Sequence, residues 1–189
     1  MVNIEKSIRE KNLRFVDERF FGEVSYLAVL LSIFLIGPIL GLISPIIYID
    51  KTNEVFNATR DIVIASALIF FSNFANRHSK KLVSVDGFNL NINNRLLEVV
   101  LLIFNYQHSE NLSKSHEIII AHKTTFWGWR KNLTIIMEDG QVYFNLRTTG
   151  RFDIYSPFHF FSDKNELVEL TKNFGKQVDK YKKTGQIWN

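Results

Sequence analysis

Twenty-six consecutive residues, Val24 to Ile49 (VSYLAVLLSIFLIGPILGLISPIIYI), carry no charge. As a helix rising about 1.5 Å per residue, such a run reaches across a bilayer core of roughly 30 Å. The run constrains the chain more than any other feature. It separates a charged tail, residues 1–23, from a second apolar stretch and then a remainder, 77–189, of ordinary globular composition. Mean hydropathy of −0.02 averages over this split and conceals it.

The tail holds Lys6, Arg9, Lys11, Arg14 and Arg19 with five acids. A signal-peptide core spans about 7–15 residues and ends in a small-residue cleavage site. The run here is longer and has no A-x-A site, so it reads as an uncleaved signal-anchor. Within the tail Ile4, Ile8 and Phe15 share a helical face, but Leu13 and Phe20 fall opposite. A membrane-surface helix is therefore set against a solvated tail that packs partly on the globular part.

Gly37, Pro38, Gly41 and Pro45 interrupt the second half of the run. Proline bends a helix by removing a hydrogen bond, and Ser44 is near enough to meet a freed carbonyl. Gly37-x-x-x-Gly41 allows close helix approach and offers a homo-oligomer face. The alternative is a kinked anchor with no specific partner.

A polar connection, residues 50–61, leads to Ile62–Asn76, which is uncharged for only 15 residues. Starting the helix near residue 54 lengthens it, and Arg60 then lies shallow enough to snorkel. Ala58, Ala65 and Ser72 recur every seven residues, a small-residue seam facing Gly37 and Gly41. The expectation is a transmembrane hairpin over 24–76, with spans 24–49 and about 54–76. Lys and Arg flank its outer ends more than its connection, which puts both termini in the cytoplasm of a bacterial inner-membrane, multi-pass protein.

Residues 77–189 hold 16 Lys/Arg against 11 Asp/Glu, with no dense basic stripe, so nucleic acid is not an expected partner. There is no cysteine, which excludes disulfides, thiolate metal sites and cysteine nucleophiles. Lys81–Val85 and Phe88–Ile92 flank Asp86-Gly87, a two-residue hairpin signal, and Phe88, Leu90 and Ile92 alternate with asparagines. Arg95–Phe104 reads as a buried strand or a short helix, with Val99, Val100 and Ile103 favouring the strand. Glu117–Phe126 reads as a strand, and a second hairpin turns at Asp139-Gly140. Arg151–Phe161 reads as a last strand that Pro157 confines to an edge. Asp163-x-x-Glu166 then resembles a capping box, and Leu167, Leu170, Phe174, Val178 and Tyr181 form one helical stripe that Gly185 ends.

The hairpin LVSVDGFNLNI, the strand IIMEDGQVYFNL and the ending SPFHFFSDKNELVELTKNF resemble the bacterial pleckstrin-homology-like membrane proteins, the YcxB-like group among them. That resemblance implies a membrane-tethered module, an antiparallel PH-like β-barrel or sheet closed by a C-terminal helix. It supplies no catalytic residues. Arg95–Phe104 and the tryptophan-rich turn do not fit the group's pattern.

Phe126-Trp127-Gly128-Trp129-Arg130-Lys131 is the most distinctive cluster. Tryptophan beside basic residues suits a headgroup region or a protein hot spot. Trp127, Trp129, Arg130 and Lys131 are the candidate binding residues, against the alternative that the tryptophans plug a barrel end. No histidine pair has a helical zinc spacing, and there is no G-x-S-x-G and no P-loop, so no metal site, cofactor or catalytic residue is expected. The leading expectation is a non-enzymatic, membrane-anchored module that binds a protein partner or the membrane surface. The rivals are a membrane immunity protein that silences a toxin, and a small membrane enzyme acting on lipid or cell-wall precursors through Arg60 and Asp61.

Overall fold

A computed structural model describes residues 2–14, 52–111, 117–125, 128–150 and 155–187. Among these the elements are α1 (Ile4–Glu10), α2 (Thr52–Ser79), β1 (Val83–Asp86), α3 (Leu90–Ile103), β2 (Gln107–Asn111), β3 (Glu117–Thr124), β4 (Arg130–Glu138), β5 (Gln141–Thr149) and α4 (Phe160–Thr184). A 3-10 turn over Pro157–His159 precedes α4. The chain divides into two units, one of Met1–Val16 with Asn76–Asn189, the other of Asp17–Ala75.

In the second unit the described residues are 52–75, most of α2. The expected transmembrane hairpin is corrected here. Among the described residues no helix is long and apolar enough to cross a membrane. The uncharged part of α2 is bounded by Arg60 and Asp61 on one side and Arg77 and His78 on the other. Those groups cannot enter hydrocarbon cheaply, and the segment between them is shorter than a span requires. The multi-pass inner-membrane placement, with both termini cytoplasmic, rested on that hairpin and falls with it. Its first span, 24–49, lies outside the described residues together with Gly37 and Gly41. Ala65 lies within α2, where Ser72 is half-buried and Val63, Ile64, Phe70 and Phe74 are exposed.

The first unit is built on one antiparallel sheet in the order β1-β5-β4-β3-β2. Strands β2 to β5 form a meander, and β1 returns to pair with β5, Val83 opposite Phe144 and Asp86 opposite Gln141. The sheet is open, with β1 and β2 at its two ends, and the expected PH-like barrel is corrected. Closure would need strands that the sequence reading placed at Phe88–Ile92 and Arg95–Phe104. Both ranges belong to the capped start and body of α3 instead.

Asparagine chemistry decides that difference. Asn89 accepts the backbone N–H of Ile92 at 3.0 Å and caps α3. Asn93 accepts the N–H of Phe88 at 2.8 Å and donates to its carbonyl at 2.9 Å. These local bonds take up the groups that a ladder would use. They also explain Gly87, where a Cβ would come 2.5 Å from the Asn93 side-chain oxygen. The second hairpin does form, and Gly140 sits at φ 85° in its turn.

Helices α3 and α4 cover one face of the sheet. The stripe Leu167, Leu170, Phe174 and Val178 of α4 is buried there with Leu96, Leu97 and Val100 of α3. Phe174 meets Phe144 edge-on at 5.3 Å between ring centroids. On the other face Val2 and Leu13 join Ile118, Ile136 and Tyr143. Residues 2–14 are therefore part of the fold. Their backbone is tied to the chain before β1 by Leu13 N–H to the Lys80 carbonyl, 2.7 Å, and Leu82 N–H to the Lys11 carbonyl, 3.1 Å. Cover on both faces makes β4 and β5 almost continuously buried rather than alternately buried and exposed.

The expected last strand over Arg151–Phe161 is also different. Residues 151–154 lie outside the described residues, Tyr155 makes a single bridge to Thr149, and α4 starts at Phe160. Asp163 is thus inside the first turn of α4 and is no N-cap.

Candidate functional site

The N-terminal half of α4 is the most chemically varied part of the structure. Residues three and four apart share a helical face, so it presents separate rows to different surroundings. Asp163, Leu170 and Phe174 form the buried row, and Ser162 and Glu166 a polar flank. Phe160, Lys164 and Leu167 border a cavity on the opposite flank. Phe161 and Val168 lie outermost.

On the polar flank Glu166 gathers three donors. Its Oε2 meets the Lys131 ammonium at 2.5 Å, its Oε1 accepts from the Tyr106 hydroxyl at 2.9 Å, and Lys123 donates to the same oxygen. The Lys123 ammonium also lies 4.7 Å from the centre of the Tyr106 ring, a cation–π contact. Burial pushes the Glu166 carboxyl up, but the bonds from Lys123, Lys131 and Tyr106 outweigh it and hold the group below its usual range. Burial, and then the charge of Glu166, push the Tyr106 phenol well above its ordinary value.

Asp163 continues the network into the core. It accepts the Thr148 N–H at 2.8 Å and the Thr148 hydroxyl at 2.6 Å, and its Oδ1 lies 3.7 Å from the Lys131 ammonium. Burial raises this carboxyl, and the Thr148 bonds and Lys131 offset only part of the rise. Each group in the cluster is engaged by another. The cluster therefore holds α4 on the sheet and has no base or nucleophile standing ready for a substrate.

The outer row is different. Phe158, in the turn before α4, is 73% exposed, Phe161 is 61% and Val168 is 55%. Exposed Lys164 and Lys172 stand one turn from Phe161 and Val168 along the helix. Trp129 borders the same end through His159, whose ring lies 5.1 Å from its own.

The four residues singled out around the tryptophan turn are not one surface. Trp127 lies outside the described residues. Trp129 is half-buried against Gly150, where a Cβ would come 2.6 Å from its Cζ3. Arg130 is exposed at the start of β4, opposite Thr149. Lys131 is only 7% exposed and belongs to the Glu166 cluster. Sequence reasoning missed Tyr106, Lys123, Asp163 and Glu166 as a group. A signal existed: Lys131 has the same strand parity as Leu133, Ile135 and Met137, and Lys123 the same parity as Ile119 and Ala121. A lysine on a core-facing parity implies a buried acid facing it.

Among the described residues no group of three His, Asp or Glu side chains lies together as a metal ligand set. No family model matches the chain, and neither a curated protein nor a solved structure matches it.

Proposed function

We propose that the chain is a non-enzymatic binding module, and that it docks a protein partner on the Phe158–Phe161–Val168 row at the N-terminal end of α4. One observation carries the reading. Three large apolar side chains stand 55–73% exposed on α4 and the turn before it, and the polar flank of α4 is fixed to the sheet by a buried ion cluster. Apolar side chains held in water on a rigid support lose little entropy on docking, so the face is pre-organised. Aromatic anchors of this kind dominate binding energy at protein interfaces. Lys164 and Lys172 flank the row, which favours a partner with an apolar centre and an acidic rim.

The test is photocrosslinking in cells that carry the gene. A photoreactive residue replaces Phe158 or Val168 in the full chain, with Lys183 as the control position. The expected result is one defined protein adduct from both test positions, lost when Phe161→Ser is added and absent from Lys183. An adduct with a second copy of the chain, or the same adducts from Lys183, contradicts the reading.

A further inference from the structure

We infer that the chain also holds a small organic monocarboxylate, with an apolar body of about one ring, in the cavity on the Phe160–Lys164–Leu167 flank of α4. The inference does not depend on the protein-docking face, which lies on a different row of the same helix.

The cavity has a volume of ≈ 200 Å³. For scale, an engineered apolar cavity of about 150 Å³ takes up benzene. Its apolar lining comes from three elements: Val83 of β1, Leu146 of β5, and Phe160 and Leu167 of α4. Leu146 and Leu167 also belong to the main core, so this wall is fixed. An apolar body of ring size gains by leaving water there.

The charged lining decides the other end of the ligand. Lys81 and Lys164 border the cavity and are both exposed, with His78 and Ser79 beside them. Asp163 is the one acid of the lining. Its carboxylate already accepts two bonds from Thr148 and faces Lys131 at 3.7 Å, so its charge is met within the protein. The two lysines are not bound into that cluster. A carboxylate placed between them completes the charge balance, and its apolar body points inward toward Leu146 and Leu167. This division of apolar wall and few polar groups is the usual composition of a small-ligand site.

The experiment is amide-shift mapping and calorimetric titration of the full chain with phenylacetate, isovalerate, acetate and benzylamine. Phenylacetate and isovalerate are expected to bind at millimolar concentration and to shift the amides of Val83, Leu146 and Leu167. Acetate lacks the apolar body and benzylamine has the wrong charge, so neither is expected to bind. The double variant K81E/K164E changes exposed side chains only, and should keep its Tm while weakening phenylacetate at least about tenfold. The proposal is overturned if phenylacetate gives no shifts, if benzylamine binds as well, or if the double variant binds phenylacetate unchanged. None of these outcomes bears on the Phe158–Phe161–Val168 row.

Discussion

Thr148 and Asp163 are joined twice, through the Thr148 N–H at 2.8 Å and its hydroxyl at 2.6 Å. The pair links the end of the last strand, β5, to the first turn of α4. It turns a helix start without a side-chain N-cap into a fixed point on the sheet. Thr148→Val keeps the shape and the backbone bond but removes the hydroxyl donor from a buried carboxylate. Loss of one hydrogen bond to a charged group costs about 1.5–3 kcal/mol. Urea unfolding of the variant should show that loss with an unchanged slope, and an unchanged midpoint would mean that water replaces the hydroxyl.

The two carboxylates should leave opposite marks on the pH dependence of stability. Glu166 is lowered in the folded chain, so the unfolded chain binds more protons across its window. Its contribution is present above the usual glutamate value and is lost as pH falls through the folded value. Asp163 is raised, so the folded chain holds the proton longer. Its contribution is present at low pH and is lost as pH rises from the usual aspartate value through the raised one. Unfolding free energy measured from about pH 3 to pH 7, for wild type, E166Q and D163N, should show a flatter acid limb in E166Q. D163N should show a steeper net rise, and identical profiles for all three would contradict the assignment.

Lys131 bridges the two acids, and breaking a buried pair from one side costs more than removing both partners. Lys131→Met leaves Glu166 and Asp163 without their shared cation, at a cost of about 3 kcal/mol. Lys131→Met with Glu166→Met should recover most of that loss. A double-mutant cycle by chemical denaturation checks it, and simple additivity of the two single losses would show that the pair is not coupled.

Trp129 packs against Gly150, and a methyl group there would stand 2.6 Å from its ring. Gly150→Ala must therefore move the indole. It should destabilise the chain by about 1–3 kcal/mol, the usual range for overpacking, and change the near-ultraviolet circular dichroism. An unaltered spectrum with unaltered stability would show that the ring is not held there.

Some of this structure is legible in the sequence and some is not, for reasons that particular residues show. The α4 stripe from Leu167 to Val178 repeats with helical period, and the Asp139-Gly140 turn has the φ that glycine permits. Asn89, Asn91 and Asn93 mislead, because alternation with Phe88, Leu90 and Ile92 imitates a half-buried strand while two of the asparagines bond to nearby backbone. The tail misleads by length: with only a few apolar residues, Val2 to Leu13 needs the outer face of a distant sheet before its burial makes sense. The apolar segment Ile62–Asn76 has the composition of a span without its length. The ion cluster joins Tyr106, Lys123, Lys131, Asp163 and Glu166 across up to 60 residues of chain. Only strand parity at the two lysines hints at it.

The most direct measurement of the central claim uses the protein captured by the crosslink from Phe158. Its affinity for the purified full chain is compared with that for F158S/F161S/V168S. All three positions are exposed, so the variant should keep its fold and Tm. The predicted result is at least about a tenfold loss of affinity, with most of it traced to the two phenylalanines. Equal affinity for the two chains, at equal Tm, would contradict the account.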